Sequence, residues 1–290
     1  MSMLTIAFLG DVVGEPGVRA FAHASETLRH RDSIDLLFVN GENARNGSGL
    51  SPDNYKALRR AGADAITLGD HCFKDSRICD FLDDGDKPLC RPANLSPFAR
   101  GKTRIRIGAD PASNRVHPPV YIITVLGRIY MSLPADDPFA AIDREVERIA
   151  AIEPDAIVIV EAHTEATSEK IAIAWHCLAQ WPGRVLAVVG THTHVQTADA
   201  RVLDGRLGAI TDLGMCGGRR GVIGRDVAPV LSFMTRQSPA SFLVASEDLA
   251  STGCLLRLDV AVRRCVAVEP VVIEGPPSLR GSPEAPAIDQ

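Results

Sequence analysis

Eight residues of metal-binding or proton-transfer type stand at the ends of five apolar runs. LTIAFLGD ends at Asp11, LLFVNGEN at Glu42 and Asn43, AITLGDH at Asp70 and His71, AIVIVEAH at His163, and VLAVVGTHTH at His192 and His194. Carboxylates, an amide and imidazoles together suit two hard-to-borderline divalent cations better than one structural zinc. Glu42 has two oxygens with which to bridge two metals, and Asn43 offers one neutral oxygen. His192 and His194 are two residues apart, a spacing that sends both side chains to the same side of an extended strand end. Taken singly, each has an ordinary alternative, Asp11 as a turn cap and His163 as a hydrogen-bonded core histidine. The repeated context points instead to one site along one sheet edge. His23, His30, His117 and His176 lack that context and read as surface or core residues.

Short runs rich in Ile, Val and Leu read as strands buried on both faces, and in such sheets ligands gather outside the carboxyl ends. The first half alternates strand 4–10, a helix within about 16–30, strand 36–40, a helix over about 52–61 and strand 65–68, with AGAD closing the second helix. That rhythm predicts parallel strands joined by right-handed crossovers. The pattern loosens between about 97 and 119, VYIITVLG resumes as a strand, and a helix over about 138–152 opened by DDPF precedes AIVIVEAH. Beyond THTH, LGAITDLG reads as a further strand, while ASFLVASED, CLLRLDVAV and VAVEPVVIE read as antiparallel. A mixed sheet or two packed sheets fits this order.

With 290 residues and 46% hydrophobic content, the chain is expected to build one large core over residues 1–274. The Pro, Gly, Ser and charge of residues 275–290 predict a disordered tail. A net charge of -5 argues against general nucleic-acid binding, which rests on clustered Lys and Arg, and leaves room for a small anion held by metals. There is no basic N-terminal region and no apolar stretch of roughly 18 residues, so a soluble, cytoplasmic protein without membrane contact is expected. The seven cysteines are scattered without CxxC spacing and are expected to be reduced packing or surface residues, with Cys72 beside His71 the one to watch. GDVVGEPG lacks both dinucleotide and P-loop patterns, and its glycines read as a sharp turn past Asp11. Arg91 in RPANL and Arg225 in GRDVAP are the candidates for anion binding; no other substrate-binding residue is identified.

The order GD, GEN, GDH, a lone His after a strand and GTHTH resembles the calcineurin-like metallophosphoesterase superfamily. GDVVGEPG, VNGENA, RPANL, LGR with DDPF, AHTEATSEK, GTHTHVQTAD and TDLGM are similar to the small bacterial cyclic-nucleotide phosphodiesterases of the YmdB type, over residues 4–273. The resemblance implies an α/β-β/α sandwich of two mixed sheets flanked by helices, a homo-oligomer, and two metals, iron or manganese. It assigns Asp11, Glu42, Asn43 and His194 to one metal, Glu42, residue 70, His163 and His192 to the other, and the general acid to His71. The expected reaction is hydrolysis of 2',3'-cyclic and 3',5'-cyclic nucleotides by metal-bridged hydroxide, with His71 protonating the leaving oxygen.

One position departs from the family pattern, which has Asn where this chain has Asp70, and CF follows where the family commonly has Thr-Trp. A third carboxylate beside Asp11 and Glu42 would weaken the metal as a Lewis acid and repel an anionic phosphodiester. The consequences open are tighter metal binding with slower chemistry, preference for a trivalent ion, or a catalytically weakened metal-binding regulator linked to RNA turnover. An amidohydrolase also uses HxH with two metals, but its HxH follows the first barrel strand, whereas HTH here comes late.

Overall fold

The computed structural model describes residues 3–108, 117–236 and 240–276. The first half of the chain contains β1 (Met3–Val12), α1 (Gly14–Arg31), β2 (Leu36–Asn40), α2 (Pro52–Arg60), β3 (Ala65–Thr67), α3 (Cys79–Asp83), β4 (Leu89–Cys90), β5 (Arg104–Ile107) and β6 (Val120–Leu126). The second half contains α4 (Pro138–Ile152), β7 (Ile157–His163), α5 (Thr167–Gln180), β8 (Val185–Thr191), β9 (Arg201–Leu203), β10 (Leu207–Ile210), β11 (Met215–Gly218), α6 (Val227–Arg236), β12 (Leu249–Asp259) and β13 (Arg264–Glu274). They form two mixed sheets, one ordered β13-β12-β11-β1-β2-β3-β4 and one ordered β5-β6-β7-β8-β10-β9.

Alternation along the strands explains the layering. Leu4, Ile6 and Phe8 of β1 and Leu36 and Phe38 of β2 meet Val120 and Ile122 of β6 and Ile157 and Ile159 of β7 between the sheets. The opposite faces, Ala7, Leu9, Leu37 and Val39 in one sheet and Val158 and Val160 in the other, pack against α1 and α2 or α4 and α5. This is the α/β-β/α sandwich that the resemblance implies. Local chemistry supports the helices: the Asp137 side chain accepts from Phe139 N–H and Ala140 N–H at the start of α4, and Ser51 caps α2 ahead of Pro52.

The inward rows change character at their carboxyl ends. Asn40 follows Phe38, Thr67 follows Ala65, Thr124 follows Ile122, Glu161 and His163 follow Ile159, and Thr191 follows Val189. Register aligns these ends, since Asp11 pairs with Asn40 and Asn40 with Thr67 in one sheet, and Leu126 with His163 and His163 with Thr191 in the other.

Several sequence expectations change. ASFLVASED is not a strand: it makes one isolated bridge, Arg225 to Val244, because Phe242 packs edge-on against Phe233 of α6 and Leu243 remains exposed. LGAITDLG forms β10, after which the chain crosses to the other sheet as β11. The tail expectation falls, beyond Pro276, outside the described residues. Among the described residues no helix is long and apolar enough to cross a membrane.

α5 carries Lys170, buried, onto the buried carboxylate of Asp212 after β10. Lys170→Met leaves that carboxylate unpaired and is expected to cost about 3–5 kcal/mol. Urea denaturation checks this; adding Asp212→Leu should recover a substantial part of the loss, because the stranded charge is then gone.

Candidate metal centre

Both sheets aim side chains at one point beyond their carboxyl ends. Asp11 is the next-to-last residue of β1, Glu42 and Asn43 leave β2, and Asp70 and His71 follow β3. From the other sheet come His163, the last residue of β7, and His192 and His194 after β8. The structure brings all eight together in a continuous chain of contacts. His194 Nε2 is 3.2 Å from Asp11 Oδ2 and 3.1 Å from Asn43 Nδ2. Asn43 Oδ1 is 2.7 Å from His71 Nδ1. Glu42 receives the His71 N–H on Oε2 at 3.0 Å and holds Oε1 3.3 Å from His163 Nε2. His163 Nε2 is also 3.0 Å from Asp70 Oδ1 and 3.1 Å from His192 Nδ1. Glu42, Asp70, His163 and His192 each offer one ligand atom within 4.8 Å of the others.

The donor set fits cations. Buried Asp11 has the His194 imidazole 3.2 Å from Oδ2 as its one close polar contact and no partner for Oδ1 among the described residues, a costly arrangement for a carboxylate unless a cation faces it. Burial opposes charge on Asp70, yet His163, His192 and His71 hold its carboxyl well below the usual range. Burial likewise opposes charge on His163, but Glu42 and Asp70 raise its pKa well above the ordinary imidazole value. Asp11 is lowered against its burial by His194, and His194 is raised against its own burial by Asp11. Three carboxylates in one pocket thus favour positive charge wherever it can be held.

Backbone geometry is specialised here. His192 and His194 adopt positive φ, 98° and 66°, a conformation that costs a non-glycine residue energy and that the surroundings must enforce. His194 is tied at this turn by its Nδ1, 3.0 Å from the Ile223 carbonyl, and the chain just beyond is fastened by Thr197 Oγ1, which donates to Asp199 Oδ1 at 2.8 Å and accepts from the Asp212 N–H at 2.9 Å. A Cβ on Gly69 would lie 2.2 Å from His163 Nε2 and 2.4 Å from Glu42 Oε2, so only glycine fits below the cluster. Gly41 contributes space rather than an unusual dihedral, because a Cβ there would meet Ile66 Cγ2 at 2.8 Å.

The two arginine candidates for anion binding have other occupations. Buried Arg91 donates to the carbonyls of Pro92, Ser96, Ala99 and Arg100, and Arg225 to those of Asn46, Gly47 and Phe242. Each guanidinium ties a loop together instead of facing the cluster. Cys72 is a packing residue: it is buried, and burial pushes its thiol up to about 12. Sequence reading missed Glu165, whose Oε2 is 3.3 Å from His192 Nε2, and the fully buried Glu161, raised above the ordinary carboxyl value by that burial. The signal for Glu161 was present, an acid two residues before His163 inside an apolar run.

Residues 7–271 match the family model described as YmdB-like protein. A Bacillus subtilis (strain 168) protein named 2',3'-cyclic-nucleotide 2'-phosphodiesterase is 36% identical over 270 residues, covering 93% of this chain and 97% of that protein. The crystal structure of a hypothetical protein from Thermus thermophilus superposes with a TM-score of 0.83 at 37% identity, covering 94% of this chain and 100% of that one. The crystal structure of a Mycoplasma pneumoniae protein described as a novel phosphatase gives a TM-score of 0.83 at 29% identity, covering 96% of each chain.

Gly69→Ala pushes a methyl group against His163 Nε2 and Glu42 Oε2 while leaving every ligand residue in the sequence unchanged. Metal affinity, measured by competition with a chelator, should fall by about 10–100-fold, the loss typical when the support of metal ligands is disturbed. The circular dichroism spectrum should stay that of the parent.

Proposed function

The chain belongs to the YmdB-like protein family, and from that premise we propose that it is a binuclear metal-dependent phosphodiesterase of cyclic nucleotides. The substrate favoured is a 2',3'-cyclic nucleotide cleaved at the 2' ester to leave a 3'-phosphate; 3',5'-cyclic nucleotides lie within the same chemistry. The observation that supports this reading is the convergence of Glu42, Asp70, His163 and His192 beside the contacts of His194 with Asp11 and Asn43, in a chain whose phosphodiesterase relative matches nearly end to end.

Asp11, Glu42, Asn43 and His194 would hold one cation, and Glu42, Asp70, His163 and His192 the other. When bound, two such cations supply charge for the phosphoryl oxygens and make a water acidic enough to attack phosphorus at neutral pH. Imidazole and carboxylate donors without thiolate accord with iron or manganese. His71 takes the general-acid role. Its Nδ1 is directed to Asn43 Oδ1, so the acid form is the imidazolium, whose Nε2–H, with Asp70 Oδ2 3.8 Å away, would pass its proton to the leaving oxygen and leave a neutral imidazole protonated on Nδ1. A homo-oligomer accords with the exposed Leu231, Phe233 and Met234 of α6. A cytoplasmic location accords with seven free cysteines. In this reading residues 1–274 form the catalytic domain and 275–290 a tail.

The test is hydrolysis of 2',3'-cyclic AMP by protein reconstituted anaerobically with iron(II) or manganese(II). Metal-dependent release of 3'-AMP is expected; metal-loaded protein without turnover would count against the enzyme. His71→Ala should lose about 10²–10⁴ in rate on this alkyl leaving group and far less on a nitrophenyl ester. Equal losses on both would remove His71 from the acid role.

Asp70 favours a second reading, a weakened site retained for regulation, because it adds a third carboxylate to the cluster. That reading requires Asp70→Asn to turn over clearly faster than the parent. Equal turnover of the two metal-loaded proteins removes it.

A further inference from the structure

Beneath the cluster, Glu161 is fully buried between the sheets. Its Oε1 accepts from Asn40 Nδ2 and from Thr191 Oγ1, each at 2.7 Å, and its Oε2 accepts from Thr124 Oγ1 at 2.8 Å. The Asn40 amide has no freedom to turn over, because its Oδ1 accepts the Glu42 N–H at 3.0 Å; Nδ2 must face Glu161. The Thr191 hydroxyl has a single hydrogen, and it goes to Glu161 Oε1, the oxygen that already accepts from the fixed Asn40 N–H. With that hydrogen on Glu161, Thr191 Oγ1 meets His163 Nδ1, 2.9 Å away, as an acceptor. Nδ1 therefore carries the proton. The Asn40 amide, 3.5 Å from the same nitrogen, is the weaker neighbour.

A neutral imidazole has one N–H, so a proton on Nδ1 leaves a lone pair on Nε2. Nε2 is the atom that faces Glu42, Asp70 and His192. The other two histidines follow the same logic with simpler partners. His194 Nδ1 is 3.0 Å from the Ile223 carbonyl, which leaves Nε2 toward Asp11 and Asn43. His192 Nε2 faces Glu165, which leaves Nδ1 toward His163 and Asp70. Thr191 is the one outward partner of the three that could donate as well as accept, and its hydrogen bond to Glu161 Oε1 removes that ambiguity.

Resting on the metal-centre reading above, we infer that Thr191 and Glu161 are positioning residues that hold His163 with its Nδ1 proton turned away and its Nε2 lone pair turned toward the metal. Their role is exerted through His163, and neither touches substrate.

Thr191→Val replaces the hydroxyl with a methyl group of similar shape, and Thr191→Ser keeps the hydroxyl. Manganese(II) affinity measured by chelator competition should fall about 10–100-fold in Thr191→Val and stay near the parent value in Thr191→Ser. In parent protein labelled with ¹⁵N-histidine and loaded with zinc(II), His163 should show a low-field, slowly exchanging Nδ1 proton correlated with metal-bound Nε2. Parent-like affinity in Thr191→Val, or a Thr191→Ser variant as weak as Thr191→Val, would overturn the inference. So would the lack of that proton signal in the parent protein, a measurement that stands even if Thr191→Val does not fold. Because the readouts are affinity and a proton signal, failure here is separate from a failure to hydrolyse cyclic nucleotides.

Discussion

A carboxylate buried without water is tolerated only where donors satisfy its oxygens, and the Glu161 carboxylate draws its donors from both sheets. Asn40 reaches it from β2, while Thr124 and Thr191 reach it from β6 and β8. The aliphatic contacts below, Phe8 and Phe38 against Ile122 and Ile159, drive the sheets together without specifying their offset. A hydrogen bond at 2.7 Å from Asn40 does specify it. The polar layer is therefore where a generic sandwich acquires one setting of sheet against sheet, and the ligand atoms above inherit that setting.

Inheritance runs through short covalent paths. Asn40 is two residues from Glu42, Glu161 two residues from His163, and Thr191 adjoins His192. Asn40, Glu161 and Thr191 thus each fix the position of a ligand one or two residues further along, by backbone geometry alone. Where the chain must then turn sharply, positive φ at His192 and His194 and the missing side chain at Gly69 accommodate it. Beyond that turn the chain is fastened by the Lys170–Asp212 ion pair and by the Thr197, Asp199 and Thr211 hydroxyl and carboxylate contacts.

What was legible in the sequence was local. An apolar run that stops abruptly at Asp, Glu or His marks a strand end, and five such stops marked Asp11, Glu42, Asn43, Asp70, His71, His163, His192 and His194; the expectation of a single sheet edge did not hold, because the first three stops end strands of one sheet and the last two end strands of the other. The hairpin of β12 and β13 was legible too, because CLLRLDVAV and VAVEPVVIE are adjacent apolar runs that pair antiparallel. What was not legible depends on partners remote in sequence. ASFLVASED has strand composition, yet Phe242 finds Phe233 of α6. Arg91 and Arg225 looked free because nothing local shows the carbonyls that curl back around them. Glu161 was visible as an acid in an apolar run, but its meaning lay in Asn40, 121 residues away.

The pairing of β1 with β12 couples residues from opposite ends of the described chain, Met3 with Asp259 and Leu9 with Gly253. As the polypeptide leaves the ribosome, the acidic residues Asp11, Glu42 and Asp70 emerge well before His163, His192 and His194, and the strand that flanks β1 emerges later still. Until then β1 has an open edge made of its most apolar sequence. A topology so dominated by long-range closure folds slowly and only once nearly all of it has been synthesised. The nascent chain spends that interval with the apolar edge of β1 unpaired, the kind of strand edge that invites pairing with another chain.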